Sequence, residues 1–217
     1  MSADMIEVKR FVVNMLQENC YVVSDDSREA VIIDCGAMYD EERRALLDYI
    51  ANHQLKPVHL LSTHGHFDHN FGNDTVWKAY GLKPEVAEAD LPLMYIKKQV
   101  NELLGVGYEH EVPPVGSLLP INGTIGFGHH QLKVLPTPGH TRGSVTFYCE
   151  DEHVAFSGDT LFRMSIGRTD FEGGSWQQIS HSLKQVLALL PDDTKVYSGH
   201  GEPTTIGEEK RWNPYMR

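Results

Sequence analysis

Short apolar runs separated by polar turns dominate the first part of the chain. Those at 6–13, 20–23 and 30–33 are rich in Val, Ile and Tyr, the composition of strands. The segment Ser-Asp-Asp-Ser-Arg-Glu at 24–29 reads as the loop joining the second to the third. The period then changes. Between 40 and 53 the apolar residues Ala45, Leu46, Tyr49 and Ile50 recur at helical spacing, with Asp40 as the expected N-cap. A buried strand is expected at 57–61, and a short helix over 73–80 ending at Gly81. The pattern over 89–104 predicts a longer helix with Pro92 in its first turn, and 105–120, rich in Gly and Pro, reads as irregular loop. Strands follow at 131–135, 144–149 and 153–157. A helix over 176–190 starts at the N-cap Ser175 and stops before Pro191, and a last strand is expected at 195–197. Two sets of strands with helices between and after them predict an α/β fold of two sheets packed between outer helices. With 217 residues, no repeat and no linker, one domain over 1–217 is expected.

Composition narrows the function classes. Hydrophobic residues make up 41% and charged residues 23%, as in ordinary globular proteins. The net charge of -11 repels phosphate backbones, so nucleic acid is not an expected partner. No apolar run approaches the roughly eighteen residues of a membrane span, and the start, with Asp4, Glu7, Lys9 and Arg10, lacks a signal-peptide core. A cytoplasmic location without a membrane partner is the expectation. Cys20, Cys35 and Cys149 each sit in an apolar stretch and read as buried structural thiols.

The chemistry lies in the placement of histidine. Thr63-His64-Gly65-His66-Phe67-Asp68-His69 directly follows the apolar run at 58–61 and crowds four donors into six residues. Imidazole nitrogen and carboxylate oxygen are the usual ligands of zinc, iron and manganese. Gly65 lets the chain turn tightly enough for donors on both sides of it to converge. Three later segments repeat one arrangement, a donor beside small residues at the end of an apolar strand: His140 in Thr-Pro-Gly-His-Thr, Asp159 in Ser-Gly-Asp-Thr, and His200 in Ser-Gly-His-Gly. Together these are five His and two Asp, enough for two metal ions sharing one bridge.

With that donor order the chain resembles the metallo-β-lactamase superfamily from its opening strands to His200, and the resemblance implies a four-layer αββα sandwich. It further implies that His64, His66 and His140 hold one divalent ion, that Asp68, His69 and His200 hold the other, and that Asp159 bridges them. Zinc is the expected metal, with iron or manganese suited to the same donors. Within the superfamily the chain is most similar to the short, single-domain glyoxalase II-like hydrolases, which share its Ser198–Glu209 ending. The stretch 158–174 is similar to their substrate segment, with Arg168 where a glutathione-binding lysine stands and Asp170 where a tyrosine stands. The C-terminal helical glutathione-binding domain of longer relatives is expected to be absent. Class B1 lactamases have a cysteine where this chain has Asp159, so penicillin hydrolysis is not expected.

The implied activity is hydrolysis of a small thioester, such as a hydroxyacylglutathione, by a metal-bridging hydroxide that Asp68 orients. Arg168 is the candidate for a substrate carboxylate, because guanidinium pairs with carboxylate in a bidentate way. Arg142 is a weaker candidate, and Tyr108, His110 and Phe162 are candidate pocket residues. His129 and His130 read as a hairpin turn, and His53, His59, His153 and His181 as ordinary residues of helices and strands. Two alternatives keep the same donors: a persulfide dioxygenase with one iron on His64, His140 and Asp159, which it resembles also in the Gly167–Phe171 stretch, and a lactonase.

Overall fold

The computed structural model describes residues 5–105 and 109–217. Strands β1 (Glu7–Val13), β2 (Glu18–Ser24), β3 (Glu29–Ile33), β4 (Lys56–Leu61), β5 (Glu85–Val86) and β6 (Ser117–Leu118) form one sheet in that order. A second six-stranded sheet runs β14 (Thr204–Thr205), β13 (Lys195–Ser198), β10 (Val154–Gly158), β9 (Val145–Cys149), β8 (His130–Pro136) and β7 (Thr124–Phe127). Helices α1 (Asp40–Asn52), α2 (Asn73–Tyr80) and α3 (Ile96–Leu104) accompany the first sheet, and α4 (Trp176–His181) and α5 (Ile206–Trp212) the second. The strands β11 (Leu161–Phe162) and β12 (Ser165–Ile166) make a separate hairpin.

The alternation within β2 and β3 explains the layering. Tyr21, Val23, Val31 and Ile33 meet Leu132, Val134, Phe147 and Phe156 between the sheets. Their neighbours Cys20, Val22, Ala30 and Ile32 face the other way, against Leu46, Ile50 and Val76. On the far side Ile179, Leu183 and Leu187 cover Val196. A strand segment packed on both faces is apolar on both, which is why 20–23 in β2 and 30–33 in β3 read as continuous runs. The outcome is the four-layer αββα arrangement. Cys20, Cys35 and Cys149 are free and buried. Among the described residues no helix is long and apolar enough to cross a membrane.

Several boundaries differ from the periodicity. Tyr39, not Asp40, takes the N-cap position of α1, and the Glu42 carboxylate accepts from Met38 N and Tyr39 N at 2.9 and 3.1 Å. The helix expected over 89–104 is two pieces, a 3-10 helix over Glu88–Met94 and then α3. Asp90 causes the break together with Pro92: it turns inward and accepts from Gly65 N, Thr141 Oγ1 and Gly143 N at 2.9, 2.7 and 2.7 Å. A tighter helix serves that tertiary demand. The helix expected over 176–190 is regular only through α4, from Ser175 as N-cap, and continues as a π-turn over Ser182–Val186 and a 3-10 turn over Leu187–Leu189. His130 is not in the turn but opens β8 and is buried. The loop expected over 105–120 contributes β6, and Tyr108 lies outside the described residues.

Candidate metal centre

Each donor stands where a strand of one of the two sheets ends. After β4 the chain passes Ser62 and Thr63, presents His64 and His66, and winds a single 3-10 turn over Phe67–His69 that turns Asp68 and His69 inward. Gly65 is needed for close approach, since a Cβ there would lie 2.6 Å from Leu93 Cβ. His140 follows β8, Asp159 follows β10 and His200 follows β13. Gly199 is fixed by the same crowding: a Cβ would lie 2.3 Å from Asp159 Oδ1 and 2.5 Å from His69 Cε1.

The folded chain brings all seven donors together. One group is His64, His66 and His140, with His66 Nδ1 2.9 Å from His140 Nε2. A second is Asp68, His69 and His200, with Asp68 Oδ2 3.6 Å from His69 Nε2 and 3.3 Å from His200 Nε2. Asp159 stands between them, 3.5 Å from His140 Nε2, 3.4 Å from His69 Nε2 and 3.7 Å from His200 Nε2. Donors about 2.1 Å from one tetrahedral ion stand roughly 3.4 Å apart, and these separations bracket that value. His64 Nε2, His69 Nε2 and Asp159 Oδ1 are buried without a hydrogen-bond partner among the described residues. Each such atom costs about 1–3 kcal/mol unless something binds it. Divalent cations fit this nitrogen and oxygen set.

The outer nitrogens of the imidazoles are held from behind. His140 Nδ1 meets Arg168 O at 2.8 Å, His200 Nδ1 meets Leu16 O at 3.1 Å, and His64 Nδ1 meets Thr63 Oγ1 at 3.0 Å. His69 Nδ1 lies 3.0 Å from Asp34 Oδ2. Asp34 also accepts from Thr63 N at 2.7 Å and Thr63 Oγ1 at 2.6 Å. Sequence reasoning missed Asp34, although it obeys the same grammar as Asp159: an acid directly after an apolar strand, followed by Cys35-Gly36. Its backbone is in the left-handed region, at φ 53°. Buried Glu18 lies behind the same ring, 3.7 Å from His69 Nδ1.

Electrostatics divides the site in two. Burial, reinforced by the neighbouring imidazoles, holds His64 well below its usual value and pushes His66 down to about 4, leaving both neutral. Burial also opposes charge on His69, but Asp68, Asp159 and Asp34 outweigh it and raise that imidazole well above its usual value. His200 is likewise raised, burial being outweighed by Asp68 and Asp159. Burial works against ionised Asp68 and Asp159, yet the histidines around them keep both below the usual carboxylate range. The carboxylates are thus ionised, and the negative charge that raises His69 and His200 is charge that a bound cation would neutralise.

The remaining candidates stand at the rim. The Arg168 guanidinium is bound at two points by Asp170, at 2.9 and 2.7 Å, and stacks on Phe171 with 4.1 Å to the ring centroid. Phe171 in turn lies edge-on to His66 at 5.8 Å. Arg142 is exposed and lines a cavity of about 220 Å³ with Lys98, Glu102 and Glu172. Phe162 lies edge-on to His200 at 6.0 Å. His110 is half-buried in its loop and is not among the grouped donors. His59 pairs with Glu85 at 2.6 Å and His153 with Asp193 at 3.0 Å, both away from the centre.

A sequence profile of the Metallo-beta-lactamase superfamily matches residues 13–200. An uncharacterized protein of Mycobacterium leprae is 38% identical over 213 residues, which is 95% of this chain and 96% of that one. The hydroxyacylglutathione hydrolase GloC of Haemophilus influenzae is 32% identical over 225 residues, covering 100% of this chain and 98% of its own. Among solved structures, the BLEG-1 B3 metallo-beta-lactamase superposes with a TM-score of 0.89 at 35% identity, over 97% of this chain and 99% of that one. TTHA1623 in a di-iron-bound form gives 0.82 at 35%, over 96% and 100%. ETHE1 from Myxococcus xanthus gives 0.77 at 27%, over 97% and 84%.

Proposed function

The chain belongs to the metallo-beta-lactamase superfamily, and from that premise we propose that it is a binuclear metal-dependent hydrolase of thioesters such as hydroxyacylglutathiones. The observation that carries the reading is Asp159, an ionised carboxylate within 3.4–3.7 Å of imidazoles from both donor groups. The similarity to a hydroxyacylglutathione hydrolase over the whole chain supports the substrate class.

In this reading His64, His66 and His140 hold one ion, Asp68, His69 and His200 the other, and Asp159 both; zinc is the metal proposed. Bound there, two divalent ions supply Lewis acidity and bring the pKa of water down to near 7. The protein contributes placement. Asp34, Leu16 O and Arg168 O fix the rings of His69, His200 and His140, so their inner nitrogens face the centre without rearrangement. Ionised Asp68, at the edge of the centre beside His200, accepts a hydrogen bond from the attacking water and orients it toward the thioester carbonyl carbon. The thiol released has a pKa of about 8.5 and leaves without a strong acid, so the donor set needs none. Arg168 is proposed as a substrate contact at the rim, where a substrate carboxylate has to compete with Asp170. The protein is proposed to act in the cytoplasm on a small molecule, with neither nucleic acid nor membrane as partner.

A second reading is a mononuclear-iron persulfide dioxygenase on His64, His140 and Asp159, favoured by the resemblance in the Gly167–Phe171 stretch. The convergence of Asp68, His69 and His200 on the same centre favours two ions. Metal analysis of the purified protein, paired with assays on S-D-lactoylglutathione, a penicillin and glutathione persulfide, separates the readings. Close to two ions per chain with thioester hydrolysis is the expected result. One iron per chain with oxygen uptake on the persulfide and no hydrolysis overturns it, as does turnover of the penicillin alone.

A further inference from the structure

The β11–β12 hairpin carries Phe162 and Arg163 beside His200. Leu161 pairs with Ile166 and Phe162 with Ser165, which leaves Arg163 and Met164 as the turn. Met164 is in the left-handed region at φ 61°, a conformation that a side chain of its kind adopts at a cost of about 1 kcal/mol or more. Exposed hairpin tips are normally loosely held. This one is clamped. Glu209 of α5, fully buried, accepts from Met164 N and Asn213 Nδ2, both at 2.8 Å. Asn213, also fully buried, donates to Ser165 O at 3.0 Å.

The clamp holds Arg163 at a cleft of about 390 Å³ lined by Phe162, Arg163, His200, Gly201 and Glu202. Two charged side chains face the cleft and only one is engaged. Glu202 is taken by Arg10 at 3.0 Å. Arg163 makes no hydrogen bond or ion pair among the described residues. Arg168, on the His66 side of the centre, is by contrast already neutralised by Asp170. On a chain of net charge -11, a guanidinium unpaired among the described residues and carried on a clamped turn beside a metal-site histidine is a place for an anion. Its planar fork matches a carboxylate.

We propose that Arg163, fixed at the cleft beside His200 by Glu209 and Asn213, recognises a carboxylate of the substrate. The inference rests on the thioesterase reading and narrows it to carboxylate-bearing thioesters, with the carboxylate on the acyl or on the thiol half. Three probes separate these cases: S-acetyl-N-acetylcysteamine is neutral, S-succinyl-N-acetylcysteamine carries the charge on the acyl half, and S-acetyl-N-acetylcysteine carries it on the thiol half. The wild-type enzyme is expected to favour one charged probe over the neutral one by about fivefold in kcat/KM, the upper worth of one exposed ion pair. In Arg163→Gln that preference falls to about one and resides in KM, while Arg163→Lys keeps part of it. Arg44→Gln, which removes an exposed charge on α1, keeps the full preference. Calorimetry with the uncleavable thioether analogue of the favoured probe should show Kd weakened about fivefold by Arg163→Gln. A wild-type enzyme that cleaves all three equally, or an Arg163→Gln enzyme with the wild-type preference, overturns this inference and leaves the thioesterase reading standing. Cleavage of none of the three, nor of S-D-lactoylglutathione, overturns both.

Discussion

Replacing Asp34 by asparagine exchanges one carboxylate oxygen for an amide nitrogen where three donors point inward. Oδ1 accepts from Thr63 N at 2.7 Å, and Oδ2 accepts from Thr63 Oγ1 at 2.6 Å and His69 Nδ1 at 3.0 Å. The amide oxygen can keep the Thr63 N–H, which leaves the NH2 group facing His69. Nδ1 then loses its acceptor, and the ring shifts its proton to Nε2, the nitrogen that faces Asp68 and Asp159. A protonated Nε2 cannot bind metal. In the binuclear reading the damage is therefore confined to the ion that Asp68, His69 and His200 would hold. Loss of an outer partner of this kind weakens metal binding about 10- to 100-fold, or about 1.4–2.7 kcal/mol. The assay is zinc release to a competing chelator of known affinity, followed in wild type and Asp34→Asn, with circular dichroism to show that both are folded. One ion should hold at wild-type affinity and the other let go 10- to 100-fold more readily. If Asp34→Asn keeps both ions at wild-type affinity, the argument that Asp34 sets the His69 tautomer is refuted.

Asp68→Asn should lower kcat about 10²- to 10⁴-fold and move KM only a few-fold, because an orienting acceptor matters most in the transition state; unchanged turnover on S-D-lactoylglutathione removes Asp68 from the mechanism. Arg43 holds Asp74 at 2.7 Å and Phe71 O at 2.7 Å, with side-chain exposures of 9% and 2% for the ion pair. Arg43→Ala should cost about 3 kcal/mol in urea denaturation, at the low end for a broken buried pair because Lys78 also reaches Asp74; a loss under about 1 kcal/mol contradicts its role in pinning the segment after His69. His59 has its pKa raised by its hydrogen bond to Glu85, burial only partly opposing. Its contribution is therefore full below the unfolded value of about 6.5 and is lost as pH rises through the raised folded value. The stability gap between wild type and His59→Gln should be roughly 0.5–1 kcal/mol at pH 6 and shrink by pH 9, and a gap that grows with pH refutes the sign.

Much of the molecule was legible along the chain because its signals are local and repeated. β2 and β3 announce themselves as strands through their apolar runs at 20–23 and 30–33. The donor cluster at 64–69 and the recurring motif of a donor beside small residues, at 140, 159 and 200, are visible because each ligand needs a strand to place it and small neighbours to let it approach. That arrangement points to a metal chemistry from the amino-acid sequence alone. Local pattern failed where long-range contacts overrode propensity. The helix expected over 89–104 is broken because Asp90 turns inward to Gly65, Thr141 and Gly143, partners up to 53 residues away. The two-residue strands β5, β6, β11, β12 and β14 are too short to carry a period.

Residue types and order along the chain determined the layered fold and the set of donors. Only the tertiary structure decided which groups stand behind each donor, and which of several similar charged residues is engaged. Arg168 and Arg163 look alike in sequence, but one is bound by Asp170 and the other, unpaired among the described residues, lines a cleft with His200. Asp34 and Asp159 share one local grammar, but the first stands behind His69 and the second in front of it. The physical reason is the same in each case. A side chain's chemistry is intrinsic to the residue, whereas its pKa, its partners and its access to a ligand depend on what lies within a few ångströms, and the fold alone sets those neighbours.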